Sequence, residues 1–170
     1  PAPAPAAPPL PDANATAGDV GRSYFAAAAA RDPAAMAAHW HEDGVDDFTI
    51  SGPLRGPGEV RGFFEDVFTA IPDFDMRVER MIEEDDRAAV AWRGTGHLSG
   101  GPFQGIAPTG AFVEQRGLDV LEVENGLIRT NTAYADGLTM ARQFGLLPAA
   151  GSAADRAMTK AFNLKTRLGR

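Results

Sequence analysis

The sequence predicts an α+β domain in which N-terminal helices cover one face of a long, curved antiparallel sheet, a cone with a pocket between the two layers. Three observations predict it. Helical periodicity dominates residues 15–71, and four β-patterned runs follow between 74 and 134. A chain of 170 residues, 44% hydrophobic and 23% charged, suits one soluble core.

Each element has its own signal. Residues 1–11, PAPAPAAPPLP, cannot build a core or a helix and open a Pro/Ala-rich arm over 1–14. From about Ala15, Val20, Tyr24 and Phe25 share one side of a helix backed by the alanines 26–30 and ending near Arg31. Asp32-Pro33 reads as the cap and first turn of a second helix, reaching about His41. Gly44 breaks it, and VDDFTI (45–50) alternates as a strand. SGPLRGPG then reads as a turn, and Pro57 starts a helix whose Val60, Phe63, Phe64, Val67, Phe68 and Ile71 form one stripe, stopped by Pro72. Strands are expected at 74–84, 87–98, 111–124 and 127–134, with Asp85-Asp86 and Asn125-Gly126 as turns. The segment 99–110 is too rich in Gly and Pro for regular structure. Asp136 begins a short helix that Gly145 closes, ending the body (15–148), and an amphipathic helix is expected over 152–168 within a basic tail, 149–170.

Composition removes several chemistries. No cysteine is present, so disulfides, thiolate nucleophiles and Cys-based zinc sites are out. Residues 1–150 carry 11 basic and 22 acidic side chains, a body that repels nucleic acid and anionic membrane; residues 151–170 carry five basic and one acidic. Neither nucleic acid nor membrane is an expected partner, and no apolar run reaches the ~18 residues of a spanning helix. The arm lacks the basic and apolar regions of a signal peptide, which favours a cytoplasmic protein and leaves an excised leader open. His39 and His41 would stand about 200° apart on a helix, so no metal site is expected.

Four segments carry a resemblance: AIPDFDMRVERMIEEDDRAAVAW (70–92), GPFQGIAPTG (101–110), ENGLI (124–128) and DGLTMARQFGLLP (136–148). Together, at this order and spacing, they resemble the SnoaL-like polyketide cyclase family of the nuclear transport factor 2-like superfamily, over about residues 18–148. The resemblance implies a deep, mainly apolar pocket for a small hydrophobic molecule, a homodimer, and cyclase or isomerase chemistry that needs no cofactor. It also implies an essential aspartate at position 133, where this chain has Ala133. The Arg-x-Asp pair of the related epoxide hydrolases falls on Trp92 and Gly94, which disfavours epoxide hydrolysis.

Parity along the strands nominates other candidates. Asp46, Phe48 and Ile50 share a face, as do Val113, Gly117, Asp119, Leu121 and Val123, so Asp46 and Asp119 become inward carboxylates; Asn131 shares the inward face of the last strand with Ala133. By the resemblance, Asp119 stands where the cyclases carry a histidine and Asp46 where they carry an asparagine. The Tyr24–Asp32 spacing matches a tyrosine and aspartate of ketosteroid isomerases, whose base position is Phe48 here. Tyr24, Asp119 and Asp46 are therefore the candidate catalytic set. Tyr24 alone also fits a core tyrosine, and Asp119 a structural hydrogen bond. Asn131, Trp92, Phe48, Trp40, Tyr134 and His97 are candidate ligand contacts, with the aromatic residues readable equally as core. Three functions stay open: a proton-transfer enzyme, a binding protein that has lost the usual aspartate, and an interaction module that uses the outer face of the sheet.

Overall fold

The computed structural model describes residues 5–49 and 51–168. Ile50, assigned above to an inward face, lies outside the described residues, as do the ends of the arm and tail.

Helix α1 (Ala17–Ala29) starts where the Thr16 hydroxyl accepts from the Asp19 amide, and α2 (Pro33–Ala38) where Asp32 accepts from the Ala35 amide at 2.9 Å. The chain leaves α2 three residues earlier than periodicity suggests, and β1 runs Trp40–Phe48. Gly44 lies within β1, packed so closely on the His41 and Ile128 carbonyls that a Cβ would stand 3.0–3.1 Å from them. SGPLRGPG holds a short edge strand, β2 (Gly52–Arg55), which pairs with β1. Its proline suits an edge position, where a missing N–H goes unnoticed, and so hides the strand from a sequence reading. Helix α3 (Gly56–Ala70) follows directly.

The remaining strands are β3 (Asp75–Glu84), β4 (Arg87–His97), β5 (Phe112–Glu124) and β6 (Leu127–Ala135). Asn125 and Gly126 both take positive φ, the geometry of the tight hairpin turn the Asn-Gly pair predicts. The sheet order is β2-β1-β6-β5-β4-β3. It is antiparallel except at one seam, because β1 pairs parallel with β6. Helix α3, between β2 and β3, carries the chain across the sheet, so β1 lies between β2 and the last strand, β6. Register shifts at Val78/Arg80, Glu122/Val123 and Trp40/Val45 bend the strands, curling the sheet around the helices.

The main core joins Val20, Tyr24 and Phe25 of α1 to Trp40, Val60 and Phe64, and to Val90, Trp92 and Leu121 of the sheet. A second cluster gathers Ala70, Ile71, Leu98, Phe103, Val113 and Phe144. The near part of the arm lies on the body: Pro9 carbonyl accepts from Ser23, and a Cβ on Gly126 would meet the Asp12 carbonyl at 2.3 Å. Asp136 caps α4 (Gly137–Gln143) by accepting from the Thr139 amide at 2.9 Å. Helix α5 (Ala153–Leu168) buries none of its residues. No helix among the described residues is long and apolar enough to cross a membrane.

Candidate active site

Between the helices and the concave sheet lies a cavity with about 110 Å³ open to the centre of a water molecule. Helix α1 contributes Tyr24 and Phe25, and α3 contributes Phe63, Phe64 and Val67. The sheet contributes Trp92, Gly94, Val113, Gln115 and Asp119, and Phe103, Met140, Gln143 and Phe144 complete the lining. Among the described residues, Asp119 is the one charged group on this wall.

Asp119 is positioned by two donors. The Trp92 indole N–H donates to Oδ1 at 2.7 Å, and the Asn131 amide donates to Oδ2 at 2.9 Å. Trp92 reaches Asp119 because its β5 partner is Gly117, where a Cβ would stand 2.3 Å from the indole. The same Asn131 nitrogen donates to Asp46 Oδ1 at 2.9 Å, so one amide bridges two carboxyl groups on β1 and β5 from the strand between them. Asp46 Oδ2 and Asn131 Oδ1 have no partner among the described residues.

Two buried carboxyls sharing one amide cannot both ionise cheaply. Burial, reinforced by the Asp119 charge and opposed by the Asn131 hydrogen bond, pushes Asp46 up to about 8. Burial also raises Asp119, and the Trp92 and Asn131 donors hold it to about 6. At neutral pH Asp46 thus keeps its proton while Asp119 is mostly ionised. Burial, then the charges of Asp46 and Asp119, push the Tyr24 hydroxyl well above its ordinary range, so Tyr24 remains a donor.

The candidates from sequence divide by depth. Asp119, Tyr24, Trp92 and Phe48 line the cavity. Asp46 and Asn131 do not; they lie behind Asp119, each 1% exposed. Alternation says which way a side chain points and nothing about how much lies in front of it. Trp40 packs edge-on against Tyr24 in the core, away from the cavity wall. Tyr134 is 51% exposed: it sits one residue from Ala133 on β6, and alternation turns it to the outer face. His97 also turns outward, where it pairs with Asp73 at 2.6 Å. His39 is buried between the Ser23 hydroxyl and the Ala35 carbonyl, and burial lowers its pKa, keeping the imidazole neutral. His41 pairs with Asp43 on β1, so the helix argument that separated the two histidines does not describe their arrangement. Among the described residues no three His, Asp or Glu side chains are placed to hold a metal ion. Sequence reasoning passed over Gln115 and Gln143; Gln115 has the inward parity of Asp119, a signal sufficient to find it.

A curled sheet wrapped around helices, with a buried carboxylate on the wall of the cavity between them, defines an α+β cone of the ketosteroid isomerase-like type. The chain belongs to the SnoaL-like polyketide cyclase family, whose model matches residues 18–144. A candidate SnoaL-like polyketide cyclase from Jannaschia sp. CCS1 superposes with a TM-score of 0.69 at 19% identity, covering 77% of this chain and 92% of its own. IdmH, a candidate polyketide cyclase from Streptomyces antibioticus, gives 0.65 at 22% identity, over 77% of this chain and 99% of its own. A protein of ketosteroid isomerase-like fold from Catenulispora acidiphila DSM 44928, crystallised with trimethylamine, gives 0.65 at 17% identity, over 81% and 99%. At these identities the likeness is one of fold. No curated protein sequence matches the chain.

Proposed function

We propose that this protein is a cofactor-independent enzyme that moves a proton on a small, largely apolar carbonyl compound, as a cyclase or isomerase does. One observation carries the reading: Asp119, the wall carboxylate, is the direct cross-strand partner of Ala133, the position where the family resemblance calls for aspartate. Side chains of such partners lie about 5 Å apart. A carboxylate moved to the neighbouring strand therefore reaches the same part of the cavity.

Ionised Asp119 takes a proton from the carbon beside the substrate carbonyl, and the C–H electron pair moves to form an enolate. Tyr24 donates a hydrogen bond to the enolate oxygen. Returning the proton to another carbon gives isomerisation; attack of the enolate carbon on a second carbonyl breaks its C=O π bond and closes the ring, and the alkoxide so formed takes the proton back from Asp119. A base titrating near 6 is stronger than an ordinary aspartate yet ionised at neutral pH, which suits this task. Asp46 and Asn131 position Asp119 and do not touch substrate.

Ala133 favours a second reading, a binding protein without turnover. Deuterium exchange of the acidic protons of 2-tetralone in D2O, followed by NMR, separates the two. The enzyme accelerates exchange, and Asp119→Asn lowers that acceleration by at least about 100-fold. Calorimetric binding of 2-tetralone with exchange at the buffer rate establishes the binder instead. The proposal extends to a homodimer across the outer sheet face, where Leu118 and Tyr134 are cross-strand partners and both exposed. Sedimentation showing a monomer at all concentrations would end that part.

A further inference from the structure

Helix α5 is specified by its own first turn. The Ser152 hydroxyl accepts from the Asp155 amide at 3.1 Å, and the Asp155 carboxylate accepts from the Gly151 N–H at 2.9 Å. Past that cap the helix touches little, for every residue but Asp155 is exposed. At about 100° per residue, Leu164 and Leu168 lie on one side of a strip made by Ala157 and Ala161, and Met158 and Phe162 lie on the other. These side chains form an apolar half in which Phe162 is 68% exposed and Leu168 80%. Arg156, Lys160 and Arg167 fall within about 40° of one another on the other half. Lys165 lies on the apolar side near the helix end, where its stem covers apolar surface and its ammonium reaches out to water. The one acid, Asp155, pairs with Arg142 of α4 at 3.6 Å, which leaves the four cations of α5 without a carboxylate partner among the described residues. A helix of 16 residues is marginal in water without packing, so the apolar half is built for a surface that the described residues do not supply.

We propose that α5 docks in the plane of an anionic lipid bilayer, with its apolar half among the acyl chains and its cations at the headgroups. The charge pattern selects lipid over a protein partner. A helix with its side chains is about 10 Å across, so all four cations lie within roughly a Debye length of an anionic plane. A protein covering the apolar half, a second copy included, would leave Arg156, Lys160 and Arg167 facing water. The body, with 22 acidic and 11 basic side chains in residues 1–150, repels an anionic surface, but that repulsion is screened over about 8 Å at physiological salt. Only the helix needs to reach the headgroups. The inference stands apart from the proton-transfer reading, because no residue of α5 lines the cavity.

Cosedimentation of the full chain with phosphatidylcholine vesicles, with and without phosphatidylglycerol, tests this. Binding to the phosphatidylglycerol vesicles at physiological salt should be at least about tenfold the stronger, and should weaken as salt rises toward about 1 M. Lys160→Gln should weaken it about fivefold and Phe162→Gln about tenfold. Both positions are exposed, so both variants should keep the native urea midpoint and the native rate of 2-tetralone exchange. Vesicles that leave the native protein in solution, or that hold Phe162→Gln as tightly as the native protein, overturn the proposal. A lipid-free oligomer that Phe162→Gln dissociates in sedimentation also overturns it, since a second copy then covers the face. Vesicle binding by a protein that does not accelerate exchange supports the docking and counts against the proton-transfer reading alone.

Discussion

Asp46→Asn should stabilise the protein, and do so only where the native side chain is forced to hold a proton. The folded carboxyl titrates near 8 against 3.8 in an exposed aspartate, so the folded state keeps a proton that the unfolded chain releases. Stability from such a group is fully present below about pH 4 and is lost as pH rises through 8. At pH 7 the burden is worth about 4 kcal/mol at most, and at pH 4.5 about 1 kcal/mol. Asparagine has the same shape, can accept the Asn131 donor through its carbonyl, and cannot ionise. Its amide nitrogen takes the place of Oδ2, which has no partner to lose among the described residues. Urea unfolding at the two pH values should place the variant about 2–4 kcal/mol above the native protein at pH 7 and within about 1 kcal/mol at pH 4.5. An offset that is equal at both, or destabilisation that grows with pH, would mean that Asp46 is not buried as a neutral acid.

Two further outcomes follow from the same geometry. Tyr24→Phe removes a hydroxyl with no partner of full hydrogen-bond geometry among the described residues, so its unfolding midpoint should shift by less than about 1 kcal/mol. Its acceleration of 2-tetralone exchange should fall about 10–100-fold, and a variant with full activity would remove Tyr24 from the site. Gly117→Ala places a Cβ 2.3 Å from the Trp92 indole and 2.7 Å from the Tyr134 carbonyl. It should cost about 2–3 kcal/mol and red-shift tryptophan emission as Trp92 leaves Asp119, whereas native stability and emission would show that the indole does not lie over Gly117.

Much of this arrangement is legible in the sequence because it rests on local chemistry. The Asn125-Gly126 turn, the Asp136 cap and the phenylalanine stripe of α3 each need only neighbours along the chain. Strand alternation likewise turns Asp119, Asp46 and Asn131 inward. What alternation omits is thickness: Asp119 borders the cavity while Asp46 and Asn131 sit behind it, a distinction that depends on which strands are adjacent. The parallel pairing of β1 with β6 sets that adjacency, and nothing in either strand's own pattern announces it. Trp92 shows the same limit. Its bond to Asp119 requires Gly117 opposite it, and that register is a property of the folded sheet. Edge strand β2 was hidden for a different reason, since Gly-Pro-rich residues look like a turn even when they pair.

One amide holds two buried carboxyls in different protonation states, with the ionised one facing the cavity. Titration of protein labelled with carbon-13 at the aspartate side-chain carboxyls, resonances assigned with Asp46→Asn and Asp119→Asn, tests it most directly. One carboxyl should titrate near 6 and disappear in Asp119→Asn, and one should titrate near 8 and disappear in Asp46→Asn. Removing either group should lower the other's midpoint or leave it unchanged, since their charges oppose each other. Both carboxyls titrating near 4, as exposed aspartates do, would contradict it.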